Sequence, residues 1–190
     1  MAATLTFIII IQVIFVLLVL ILIIYLLNII VSFRKMVPYV PSPFKIIKKM
    51  VKLAEISPAD RLIDLGSGSG RIIITLACRY PNAVTGIDNS PVLVYITKLR
   101  FWLNKIFGRL KTKQYKIIKG DFFSFDLSNY NIVFCFLTNT AMSKLKANLE
   151  KLPLGAKIIS YHFQLSSPLF TEERIQLSKR EKIFIYNKVL

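Results

Sequence analysis

The chain has 190 residues, room for one domain and little else. It is 54% hydrophobic and strongly basic, with 26 Lys and Arg against 10 Asp and Glu and a net charge of +16. Two cysteines and one histidine exclude a disulfide framework and leave too few ligands for a zinc site, so no metal is expected.

Residues 1–33 contain no charged side chain, and "TFIIIIQVIFVLLVLILIIYLLNIIVSF" is almost unbroken apolar sequence. About 20 such residues span a bilayer. A cleaved signal peptide has a basic start, a shorter apolar stretch and a small-residue cleavage site, none of which is present. The expectation is a transmembrane signal anchor over residues 1–33. Arg34 and Lys35 follow it directly, and Lys45, Lys48, Lys49 and Lys52 come soon after. By the positive-inside rule, everything after the span lies on the cytoplasmic side. Cys78, in an expected helix, and Cys135, in an apolar strand, suit a reducing compartment as small core residues.

Every charged residue lies after residue 33. So basic a remainder reads either as a nucleic-acid footprint or as attraction to anionic lipid. Three prolines in "MVPYVPSPF" stop the first helix and stiffen the connection. The next segment, "PFKIIKKMVKLAEI", is predicted to be an amphipathic helix. Lys45, Lys48, Lys49 and Lys52 share one face, while Phe44, Ile47, Val51 and Ala54 form another that can pack on the domain. A basic stripe just after a membrane span favours an anionic lipid surface as partner, with a solvated lysine face as the plain alternative. Residues 34–56 are thus linker and basic helix, and Ser57-Pro58 opens the catalytic domain, 57–190.

"DRLIDLGSGSGRIIITLA" predicts a buried strand at 61–65, a glycine loop at 66–70 and a helix from Arg71 to Cys78. The loop lets a ligand approach the main chain and aims a helix N-terminus at it. Arg71 stands where a dinucleotide fingerprint needs its third glycine, so an NAD site fits poorly. Asp64 lies two residues before Gly66. "AVTGIDNSP" adds a second strand ending in Asp88, near where a ribose-binding carboxylate belongs.

Ser90-Pro91 then reads as N-cap and first residue of a helix, "VLVYITKLRFWLNKIF". "QYKIIKG" and "NIVFCFLTN" are the third and fourth strands, "TAMSKLKANLEKL" the next helix, and "AKIISYHF" the fifth strand. The tail, "RIQLSKREKIFIYNKVL", reads as two strands about a polar turn. The fold class is α/β, a mostly parallel sheet with an antiparallel C-terminal edge.

The motif D-x-G-x-G-x-G, with a later acid at the second strand end, resembles the S-adenosylmethionine site of class I methyltransferases, which have a Rossmann-like fold. The resemblance implies that Asp64, Gly66, Ser67, Gly68 and Gly70 line the methionine part of the cofactor. Asp88, with Asn89 beside it, would hold the ribose, and Asp121 and Phe122 would flank the adenine. The loop after the fourth strand, "FLTNT", lacks the N/D-P-P-Y/F pattern of base-modifying enzymes, so nucleic acid is not the expected partner.

The succession of apolar span, "PYVPSP", amphipathic helix, glycine motif, "GDFFSFDLSNYNIVFCFLTN" and "GAKIISYHF" resembles a narrower group. It is similar to the small membrane-anchored protein-lysine methyltransferases, including those acting on the c-ring of ATP synthase and on the adenine nucleotide translocase. That family more often has an acid where Ser69 stands and a proline near Asn139. The resemblance implies methyl transfer to lysines of membrane proteins. No arginine-rich presequence precedes the span, so a prokaryotic plasma membrane is expected in preference to the mitochondrial inner membrane. Ser42, Thr138 and Asn139 are the candidates for orienting the amine, with Tyr161 and His162 behind them. The rival readings are methylation of RNA or of a lipid or quinone, and a non-catalytic tethered binding module.

Overall fold

A computed structural model describes residues 2–33, 42–178 and 181–190. Arg34, Lys35, most of the proline-rich connection and part of the C-terminal polar turn lie outside the described residues. The chain divides into two compact units, Met1–Pro38 and Tyr39–Leu190.

The first unit is one helix, α1 (Ala2–Phe33). Within it Thr6–Leu27, 22 residues, is long and apolar enough to cross a membrane, and none of that stretch is buried. The helix is apolar all round, unlike a helix that lies on a core by one face.

The second unit begins with α2 (Phe44–Leu53) and then alternates β1 (Leu62–Leu65), α3 (Arg71–Arg79), β2 (Val84–Asp88), α4 (Pro91–Ile106) and β3 (Tyr115–Lys119). It continues with β4 (Ile132–Cys135), α5 (Asn139–Leu149) and β5 (Lys157–Tyr161), and ends in a hairpin of β6 (Phe170–Gln176) and β7 (Lys182–Lys188). The seven strands form one sheet in the order β3-β2-β1-β4-β5-β7-β6. The first five run parallel, and β7 enters antiparallel between β5 and β6. This is the class I methyltransferase sheet expected from the sequence, with its antiparallel edge.

β1 and β4 are buried at every position, as suits central strands covered on both sides. Alternate residues choose the layers. Leu62, Ile132, Phe134 and Ile159 join the buried faces of α2 and α3 and Phe101 of α4 in one cluster. These three helices therefore share one side of the sheet. On α2 the buried residues are Ile46, Ile47, Met50 and Val51, with Ala54 just beyond, and the four lysines point outward. Phe44, expected on the packing face, is exposed instead. It is the first residue of the helix, and its ring lies under the Arg71 guanidinium, 5.0 Å away, instead of joining the core cluster.

Candidate active site

Chain order reverses at β1. One neighbour, β2, leads outward to β3, and the other, β4, leads to β5. In such sheets the crevice beyond the strands' carboxyl ends at that point is where ligands bind. Here it is framed by the glycine loop after β1, by Asp88 ending β2 and by Leu137-Thr138 after β4.

The loop is held from below by its own amides. Gly66 and Ser67 both donate to the Ile87 carbonyl, at 2.9 and 3.0 Å. Gly66, Gly68 and Gly70 all have positive φ, at 71°, 55° and 76°. At Gly70, the N-cap of α3, a Cβ would stand 2.5 Å from Thr97 Cγ2, so glycine is needed both for the angle and for the close approach of α4. Gly70 also leaves α3 without a side-chain cap, so the helix's first-turn amides are not taken by its N-cap residue.

Asp88 ties the pieces together. Its Oδ2 accepts from the Gly68 amide and its Oδ1 from the Ser90 amide, both at 2.8 Å. One carboxylate thus fixes the loop over β1 and the entry of α4. A carboxylate offers about four acceptor positions, so two remain for hydroxyl donors. Asn89 beside it is exposed. Asp64 is 3% exposed, and burial pushes its carboxyl well above the usual range, with the charge of Asp88 adding to the effect.

The other expected residues divide. Phe122 is buried with its ring edge 3.7 Å from where a Gly66 Cβ would be, and Leu137 lies closer still at 3.1 Å. Asp121 is exposed, its carboxylate accepting from the Phe123 amide at 3.0 Å. Thr138 caps α5, its hydroxyl accepting from Ala141 and its carbonyl from Met142. Asn139 is exposed at the first turn of that helix. Ser42 is buried, and its carbonyl accepts from Arg71 Nη1 at 3.0 Å, which brings it to the glycine-loop end of α3. Tyr161 turns its hydroxyl to Glu181, 3.0 Å away, and burial with that carboxylate raises its pKa to about 12. His162 is exposed at φ 76°.

Three contacts escaped the sequence. Thr97 donates to the Gly68 carbonyl at 3.0 Å, and Arg100 Nη1 donates to the carbonyl and hydroxyl of Ser69 at 2.9 and 3.2 Å. Arg71, read there only as a missing glycine, reaches back to Ser42. Its Nε is buried with no hydrogen-bond partner among the described residues.

Residues 64–169, from the buried Asp64 to just before β6, match the family model of the ANTKMT methyltransferase domain. The chain belongs to this family. Its relatives include a protein-lysine N-methyltransferase of Saccharolobus islandicus (strain REY15A). That protein is 34% identical over 136 residues, covering 70% of this chain and 81% of the relative. The adenine nucleotide translocase lysine N-methyltransferase of Mus musculus is 28% identical over 71% of this chain and 57% of its own length. Among solved structures, an RNA methyltransferase from Salinibacter ruber in complex with S-adenosyl-L-homocysteine superposes with a TM-score of 0.70 at 26% identity. It covers 79% of this chain and 94% of that one. This ANTKMT-type chain is an S-adenosylmethionine-dependent methyltransferase. The residues present fit that cofactor: a glycine loop in which neither Gly66 nor Gly70 has room for a side chain, a half-satisfied carboxylate at Asp88, and a buried donor at Arg71 with no partner among the described residues.

Proposed function

We propose that this chain is a protein-lysine N-methyltransferase held at a membrane by α1, acting on lysines of integral membrane proteins near the cytoplasmic surface. The observation that carries the reading is the identity to the S. islandicus protein-lysine N-methyltransferase, which runs through the glycine crevice just described. The apolar length of α1 supports the anchor, and the lysine face of α2 supports an anionic lipid surface as a second partner. The setting we favour is a prokaryotic plasma membrane.

In this reading Asp88 and Asn89 receive the ribose hydroxyls. Asp64, Gly66, Ser67, Gly68 and Gly70 line the methionine part, and Asp121 and Phe122 flank the adenine. The bound cofactor supplies an electrophilic methyl group on a sulfonium. Positioning the lysine amine in line with it is the main task left to the protein. Ser42, Thr138 and Asn139 orient that amine through hydroxyl, carbonyl and amide groups around the mouth. The amine has to be neutral to attack, although a free lysine titrates near 10.4. Partial burial and the +16 chain both disfavour its ammonium form, so no strong general base is required.

A second reading, methylation of RNA, is favoured by the S. ruber neighbour and by the basic charge. One experiment separates the two. Isolated membranes and soluble extract are incubated with the full-length enzyme and radiolabelled S-adenosylmethionine, and labelled products are identified by mass spectrometry. Label on lysines of membrane proteins is expected. Label mainly in RNA, or in lipid extract, with protein lysines unmodified would overturn the lysine assignment.

A further inference from the structure

α4 carries large apolar side chains on its outer face as well as its inner one. Its buried residues, Val94, Thr97 and Phe101, pack toward the sheet and the glycine loop. The opposite face, where polar residues belong, carries Tyr95, Leu99, Trp102 and Ile106 at helical spacing. All four are exposed, Tyr95 by 70% and Trp102 by 56%. Leu103 and Phe107 widen the stripe on one side, Phe107 with the Arg109 guanidinium 5.3 Å from its ring. Lys98 and Lys105 stand exposed on the other. A contiguous apolar patch rimmed by charge marks an interaction surface.

We propose that this outer face of α4 is an interfacial docking surface for an anionic bilayer, laid flat in the headgroup region. Charge complementarity decides the occupant. Between Asp88 and Asp121 the sequence has eight Lys and Arg and no acidic residue. A second copy meeting this face across a two-fold axis would bring the bordering Lys98, Lys105 and Arg109 toward their own counterparts, with no acidic residue on this segment to offset them. An anionic lipid surface neutralises them, at about the distance lysine side chains reach when their stems lie along apolar surface. Tyr and Trp are the residue types that settle at headgroup depth. The stripe from Tyr95 to Ile106 is about 16 Å long at roughly 1.5 Å per residue, enough for a helix to lie in the interface plane. The proposal goes beyond membrane tethering, resting on it only in that α1 keeps α4 within reach of lipid. Docking would hold the crevice, whose loop Thr97 and Arg100 of the same helix grip, at one orientation to the bilayer.

Trp102 is the protein's only tryptophan, so its fluorescence reports on this face alone. The full chain is placed in nanodiscs of phosphatidylglycerol or phosphatidylcholine, each with and without brominated acyl chains, at one chain per disc. In phosphatidylglycerol discs, Trp102 emission is expected to shift to the blue, resist acrylamide and be quenched by bromine. Quenching in phosphatidylcholine is expected to be weaker. Leu99→Glu with Ile106→Glu should bring quenching in phosphatidylglycerol down to the phosphatidylcholine level without changing S-adenosylmethionine affinity. A Trp102 that stays acrylamide-accessible and unquenched in phosphatidylglycerol discs overturns the proposal. Shielding that appears only with two chains per disc, without bromine quenching, also overturns it and gives the face to a second copy. The anchor is read separately, by whether the chain still co-elutes with discs after a high-salt wash. If it does not, bromine quenching of Trp102 at low salt still decides the role of α4.

Discussion

Replacing Asp88 by alanine tests the cofactor crevice at its most connected point. Asp88 accepts from Gly68 and Ser90 at 2.8 Å each. Hydrogen bonds to a charged group contribute roughly 1.5–3 kcal/mol each when protected, and toward the lower end where water enters, as it does at this half-exposed residue. Alanine leaves both amides to water, so the fold should lose about 1–3 kcal/mol. Losing the acceptors for the ribose hydroxyls should weaken S-adenosylmethionine binding by a similar amount, about ten- to a hundredfold. Asparagine should do little better. Both carboxylate oxygens face backbone donors, so an amide must set its own NH2 against one of them. Titration calorimetry with S-adenosylmethionine, beside thermal melts of each variant in detergent, reads both effects. Unchanged affinity in Asp88→Ala would refute the assignment, and so would preferential binding of NAD by the parent protein.

Gly70→Ala should destabilise the protein by about 2–4 kcal/mol, from a left-handed backbone and a methyl pressed on Thr97 Cγ2. Adding Thr97→Ser should recover the steric part; denaturation curves showing neither loss nor rescue would contradict the close approach of α4. For Asp64 the raised folded pKa means that the bound proton stabilises the fold below the ordinary value of 3.8, and that this stability is lost as pH rises through the raised pKa. Ligand-free Asp64→Asn should therefore melt above the parent near neutral pH, with the gap closing as pH falls toward about 4. A gap independent of pH would falsify that account of the buried carboxyl.

What the sequence announced was local. The glycine loop, the strand ending in Asp88 and the Ser90 cap each depend on residues a few positions apart, and all three form where expected, the Ser90 hydroxyl accepting from Leu93. The grip of α4 on the loop was not legible, because Thr97 and Arg100 reach partners 29 and 31 residues away. The sequence shows that residues 92–107 favour a helix, but not which of its apolar side chains are covered. Only the placement of β2 and β3 beneath α4 reveals that half of those side chains have nothing to pack on. The same limit explains Phe44: helical spacing puts it in line with Ile47 and Val51, and only the tertiary structure shows its ring exposed against Arg71 instead of in the core. The terminal hairpin and its place at the antiparallel edge were read from the sequence, but which of its strands pairs with β5 was not, since that pairing leaves no mark on either strand's sequence.

That pairing has a bearing on how the molecule comes into being. β6 touches the sheet only through β7, so it cannot join before β7 does, and until β7 docks β5 presents an open hydrogen-bonding edge. Ile183 and Ile185 of β7 also complete the packing around Phe134 and Ile159 beneath the catalytic end. During synthesis α1 leaves the ribosome some 150 residues before β7 does. In the anchored reading, the nascent chain is already committed to its membrane while its sheet is unfinished. The enzyme would therefore acquire its address before its activity, and would close its fold only where its substrates reside.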